Sequence, residues 1–446
     1  MAQELANPDG PSRHGDRWLA LILVTLLVGL AAGLGGTGLG LLLQLVQHLG
    51  YGYSLDTLTN RETFLAGTTA APPLRRLIAL VVCGGIAAVG WWLLYRFGKP
   101  LVSISKAISP NAPKMPLGTT LIHDLLQIVT VGLGSPLGRE VAPRELAAAL
   151  ATWFADRAAL SPETTRILIA CGAGAGLAAV YNVPLGGTLF ILEGLLGTFR
   201  PAAMVPALAT CGIATLISWV GLGSEPQYTI PTFTVTTPLL AWSFVVGPVF
   251  GFAAFGFIRL ARAAASRARK DWRLAAWSMA VFPAIGLCAM RYPQILGNGK
   301  SIARVGFDSN LGFALALALL ALKVLVVVAS LRAGAAGGLL TPGIALGVLV
   351  AILTSSLWNL GLPHLTPGAC ALVGGAAFLA SSMKMPLTSI ALLMEFTHVD
   401  LAFLAPMTLA VAGSVAASQF ARRRQADRDR PLLNPEQLAL EAEAEG

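Results

Sequence analysis

Apolar windows long enough to cross a bilayer as a helix, about 20 residues, recur along this chain at 18-50, 76-97, 203-222, 237-258, 274-290, 311-331, 343-360 and 401-421. Shorter apolar stretches lie between them, around 120-133, 145-156, 163-180, 183-196, 367-382 and 385-396, and most are broken by Gly or Pro. Hydrophobic residues make up 55% of the chain and charged residues only 12%, against roughly a quarter charged in a soluble domain. That excess of apolar surface needs lipid. The first window runs far past the apolar core of a signal peptide and lacks a small-residue cleavage site, so it reads as the first membrane helix. The expected class is an all-α, polytopic integral membrane protein.

The net charge of +9 is distributed as a topology signal. Arg259, Arg262, Arg267, Arg269, Lys270 and Arg273 fall in one loop, and Arg422, Arg423, Arg424, Arg428 and Arg430 follow the last apolar window. This is the positive-inside pattern, and it lacks the aromatic interleaving of a nucleic-acid footprint. The loop 223-236 has no Lys or Arg and is expected on the other side, with both termini cytoplasmic. The expected organisation is a cytoplasmic tail 1-17, membrane halves 18-222 and 237-421 flanking the 223-236 loop, and a cytoplasmic tail 422-446.

Cys83, Cys171, Cys211, Cys288 and Cys370 lie singly in apolar segments and read as small buried hydrophobes. No histidine pair has the spacing of a helix-borne metal site. The glycine clusters follow no strand and lack phosphate-loop spacing. Neither a metal nor a cofactor is expected, and the chain does not read as an enzyme.

Slid against itself, the chain places Gly172 on Gly374, Ala175 on Ala377, Leu177 on Leu379, Ala178 on Ala380, Pro184 on Pro386, Leu185 on Leu387 and Glu193 on Glu395. Each segment has a small-residue helix, a polar break with proline, and a second apolar helix that reaches a glutamate. Duplicated units of broken helices build transporter sites near the bilayer midplane. Two repeats of tilted and broken helices are expected, in opposite orientation.

Backbone that stops being helical inside a bilayer must be satisfied by protein, water or ligand. Helix starts gathered there would hold an anion by their free N–H groups and dipoles alone. The candidates are the stretches beginning at Gly98, Gly138, Gly297 and Gly337. Glu140 heads a helix expected over Arg144 to Phe154, and an intramembrane carboxylate is a functional candidate by default. Held against helix starts, it would occupy the place of an anion, and protonation would release it; the alternative is an ion pair with Arg139 or Arg144 at a membrane edge. His123, Asp124, Lys323, Arg332 and Lys384 are candidates to line an aqueous vestibule, with snorkelling the alternative for the cations.

These stretches resemble the CLC chloride channel and transporter family, whose signatures are G-S-G-I-P, G-[KR]-E-G-P and G-x-F-x-P, and the likeness covers 18 to 421. The run from Ala170 to Glu193 is especially similar. The resemblance implies a homodimer with one anion pathway per subunit, Glu140 as the gate, and anion contacts from Lys99, Arg139, Val141, Gly338, Leu339, Leu340 and Thr341; the short C-terminal tail suggests a bacterial inner membrane. Lys99 stands where the family has an anion-contacting serine, and Leu340 where it has Phe. The family's internal proton glutamate falls on Gly194 and its C-terminal tyrosine on Leu433, so the central site is expected to lack that hydroxyl. On these absences channel-like passage of chloride or a similar small anion is expected, with a proton-coupled exchanger as the alternative. An unrelated organic-anion transporter and an intramembrane enzyme stay open from other classes.

Overall fold

The computed structural model describes residues 11-52, 63-110 and 112-429. The first half runs through α1 (Pro11–Tyr51), α2 (Phe64–Ala70), α3 (Pro73–Phe97), the short α4 (Ile104–Ala107), α5 (Leu117–Gly132), α6 (Val141–Arg157), α7 (Pro162–Tyr181), α8 (Pro184–Leu189) with a π-helical turn at Phe190–Leu196, and α9 (Pro201–Leu222). The second runs through α10 (Thr237–Ser266), α11 (Trp272–Arg291), α12 (Lys300–Phe307), α13 (Phe313–Arg332), α14 (Leu340–Trp358), α15 (Pro367–Met383), α16 (Pro386–Thr397) and α17 (Leu404–Asp429). Among the described residues, nine helices are long and apolar enough to cross a membrane. Leu433, the position matched to the family's tyrosine, lies outside the described residues.

Prolines open α3, α7, α8, α9, α15 and α16, where the missing N–H costs nothing and φ is already helical. The paired breaks close alike. α7 ends on Asn182 at φ 56° and α15 on Lys384 at φ 60°, and the next residues, Val183 and Met385, have φ/ψ of −134°/68° and −135°/74°. α1 packs on α7 and α9 as α10 packs on α15 and α17, and α6 packs on α7 as α14 packs on α15. The chain is thus two inverted repeats. α6 begins at Val141, three residues before the helix start expected from sequence, which makes Glu140 its N-cap.

The inner helices α7 and α15 are buried along most of their length, because small residues let backbones approach. A Cβ on Gly176 would strike the Pro143 carbonyl of α6. Around them, outer helices turn Trp18, Leu34, Val220, Phe244, Leu317 and Leu325 outward, the surface that lipid covers.

Candidate functional site

The two halves meet through the glycines that precede α6 and α14. Gly138 N–H donates to Gly338 O at 2.7 Å and Gly338 N–H to Gly138 O at 2.9 Å, an antiparallel bridge that brings both helix starts to one point. Glu140 is fully buried there. Its Oε1 accepts the Leu340 N–H at 2.9 Å, and its Oε2 accepts the Tyr181 hydroxyl at 3.2 Å. The Tyr181 oxygen is in turn 2.8 Å from Thr341 Oγ1. With Tyr181 donating to Glu140, the Thr341 hydroxyl donates to Tyr181. A Cβ on either Gly138 or Gly338 would collide with the Glu140 carboxylate, so both glycines leave the space the gate candidate fills.

The carboxylate of one repeat therefore sits on the N-terminus of a helix from the other, on an orphan N–H at the positive end of the helix dipole. Neutralised, Glu140 loses that attraction. The Leu340 N–H and the Tyr181 hydroxyl, itself held by the Thr341 hydroxyl, are then donors for an anion in its place.

Of the residues expected at the site, Leu340 and Thr341 meet Glu140 directly. Gly338 is adjacent, its N–H donating to Gly138 O at 2.9 Å. Leu339 is the half-buried N-cap of α14, and Val141 the half-buried first residue of α6. Lys99 is exposed where α3 ends, its backbone N–H donating to Thr119 Oγ1 at 3.2 Å, apart from the buried group around Glu140. Arg139 turns away from Glu140: its guanidinium lies over the Tyr181 ring at 5.0 Å and donates to Val180 O and to Gln227 Oε1. Tyr181 is not among the residues expected here; it brings a hydroxyl to a site expected to lack that of the family's C-terminal tyrosine. Its signal was the polar break Tyr181-Asn182-Val183-Pro184.

Beside Tyr181 opens a cavity of about 600 Å³, lined in part by Arg139, Lys300 and Arg304, with Glu225 its acidic residue. Gln227 Oε1 accepts from both Arg139 and Lys300, at 3.4 and 3.2 Å. Desolvation, with Arg139 and Arg304 nearby, lowers the Lys300 pKa to about 7. The cations expected to line a vestibule lie elsewhere. Lys323 is fully buried, donating to the carbonyls of Pro136, Ile295 and Gly297. Arg332 stacks on Trp277 at 4.6 Å. Lys384 is exposed at the α15 cap. His123 and Asp124 are buried in α5.

Glu193 and Glu395 cap each other's repeat. Glu193 accepts the N–H groups of Leu387 and Thr388 at 3.0 and 2.7 Å and the Thr388 hydroxyl. Glu395 accepts those of Leu185 and Gly186 at 2.9 and 2.6 Å. Each carboxylate thus satisfies the start of the opposite proline-led helix.

A family model described as voltage gated chloride channel matches residues 84–419. The chain is 30% identical over 404 residues to the voltage-gated ClC-type chloride channel ClcB of Citrobacter koseri, covering 84% of this chain and 90% of the relative. It is 25% identical to the H(+)/Cl(-) exchange transporter ClcA of Vibrio vulnificus, over 91% of this chain and 88% of that protein. Its fold is similar to the crystal structure of a slow cyanobacterial Cl-/H+ antiporter, with a TM-score of 0.77 at 20% identity over 92% of this chain and 99% of that one. It also resembles a CLC-type fluoride/proton antiporter, with a TM-score of 0.65 at 21% identity over 92% of this chain and 97% of that one.

Proposed function

Because this chain belongs to the voltage-gated chloride channel family, the CLC anion channels and transporters, we propose that it passes chloride or a similar small inorganic anion over the start of α14, with Glu140 as the gate. It is an integral membrane anion transporter, not an enzyme. The observation that carries the gate is the Glu140 carboxylate on the Leu340 N–H. An anion drawn by Arg139, Lys300 and Arg304 into the cavity competes with that carboxylate for one set of donors. Anion concentration and proton activity then both open the path.

The loop 223-236 contributes Glu225, Pro226, Gln227 and Thr229 to this cavity, and its lack of Lys and Arg supports an outward-facing mouth. The basic loop and tail support cytoplasmic termini in a bacterial inner membrane. The family resemblance supports a homodimer with one pathway per subunit, built from the halves 18-222 and 237-421.

Chloride efflux from liposomes holding the purified protein, with potassium permeability supplied to dissipate voltage, tests the gate. Glu140→Gln should mimic the protonated state and flatten the pH dependence of flux. Unchanged flux at every pH would remove Glu140 from the mechanism.

A second reading, proton-coupled exchange, is favoured by the buried Asp124 and the half-buried Glu145 beside it. The family's internal acid position is Gly194 here, where a Cβ would have to displace the Met385 thioether.

A further inference from the structure

α5 carries a polar row that neither the anion site nor the cavity uses. Thr120, His123, Asp124, Gln127 and Thr130 recur at intervals of one helical turn on its inward side, each buried, and Ser135 continues the row past the helix end. The other side of the helix exposes Leu121, Ile122 and Leu125. α6 brings Glu145 to the middle of the row. Gln127 Nε2 donates to Glu145 Oε2 at 3.3 Å and to Asp124 Oδ1 at 3.5 Å. Trp91 Nε1 donates to His123 Nδ1 at 3.1 Å, which leaves His123 Nε2 facing Glu145 Oε2 at 3.8 Å.

An independent observation points to water in this row. Thr120 Oγ1, Gln127 Oε1 and Ser135 Oγ are buried with no hydrogen-bond partner among the described residues. Buried polar atoms are nearly always satisfied, and ordered water is the usual partner of one that the protein leaves unpaired. The row also has two ends. Beside its start, Lys114 pairs with Asp156 near the end of α6 at 2.8 Å, and Lys270 of the basic loop lies over Tyr95 of α3 at 5.2 Å. Its far end, Ser135, lies in the segment that leads into Glu140.

We propose that this row conducts protons between the basic-loop face and Glu140, with His123, Asp124 and Glu145 as carriers and water held by Thr120, Gln127 and Ser135 between them. The inference rests on the anion-transport reading and gives that pathway a proton partner without an acid at position 194. A hydronium at the start of α5 gives up its proton, each carrier or water accepts one proton and passes one on, and the Glu140 carboxylate receives the last. Neutral Glu140 leaves the Leu340 N–H, the anion takes its place, and the proton departs through the cavity as the anion moves the other way. Only O–H and N–H bonds are exchanged. Other groups facing the row are Cys83, Trp91 and Tyr95 from α3, Arg144 from α6, within electrostatic reach of Glu140 and Glu145, and Lys323 from α13, which donates to Pro136 O beside Ser135. α1 packs its side with Leu39, Leu42 and Leu43.

The test records chloride and pH together in liposomes and reads the ratio of protons to chloride moved. Wild type should move protons uphill against a chloride gradient. Asp124→Asn with Glu145→Gln should lower the ratio tenfold or more; where that pair impairs folding, the near-isosteric Thr120→Val and Ser135→Ala carry the test and should slow proton delivery. Chloride flux without protons in wild type overturns the proposal, as does a full ratio in all these variants. A wild type that moves neither chloride, nitrate nor fluoride instead overturns the anion-transport reading beneath it.

Discussion

The Tyr181 hydroxyl donates to Glu140 Oε2 at 3.2 Å while standing 2.8 Å from Thr341 Oγ1, so a residue at the end of α7 joins the gate candidate of α6 to the start of α14. Tyr181→Phe removes the middle of this chain of donors. The expected loss is about 1 to 1.5 kcal/mol of anion binding, roughly tenfold in affinity, read by calorimetric titration of chloride. Because the two hydroxyls act in series, Thr341→Val added to Tyr181→Phe should cost little more than either alone.

Gly338→Ala places a Cβ where the Glu140 carboxylate lies. The carboxylate must then leave the Leu340 N–H, and the variant should conduct chloride with a pH dependence as flat as that of Glu140→Gln. A pH profile like wild type would show that the carboxylate has room to stay.

Glu193→Ala would strand the N–H groups of Leu387 and Thr388, and Glu395→Ala those of Leu185 and Gly186. Losing a helix cap costs about 1 kcal/mol and an unmet buried donor about 1 to 3, so each variant should melt earlier in detergent. Glu193→Gln should leave the proton-to-chloride ratio at its wild-type value, since Glu193 serves as a cap. A collapse of that ratio would make it a proton carrier instead.

Lys300 is held below the ordinary lysine value, at about 7, by desolvation and by Arg139 and Arg304. It is charged below that pH and loses its charge as pH rises through it. Chloride uptake from the cavity side should therefore weaken between about pH 6 and 8 as one of the cavity's positive charges is lost. Lys300→Arg should remove this dependence by keeping the charge, and Lys300→Met should fix uptake at the weakened level. Initial flux rates at low ionic strength, where steering is strongest, read the difference.

The membrane class, the two repeats, Glu140 and the start of α14 were legible in the sequence because each has a local signature. Apolar length shows lipid, Gly and Pro show broken helices, and a carboxylate between them has no inexpensive alternative use. The pairing of Glu193 with Glu395 showed in the self-comparison as matched positions, but their exchange across the repeats did not, because hydrogen bonds between residues about 200 positions apart leave no local pattern. Tyr181 was hidden for the same reason. Its hydroxyl reaches Glu140 only when α7 returns to the bridge between Gly138 and Gly338, whereas the family's own tyrosine position falls on Leu433. Lys300 and Arg139 share a cavity because the 223-236 loop folds between them through Gln227. Composition and periodicity determined which segments enter the membrane, since transfer into lipid is close to additive along the chain. Which helix starts converge, and which polar groups are left for an anion, was decided by packing between the halves, where one glycine-to-glycine contact sets the geometry of the whole site.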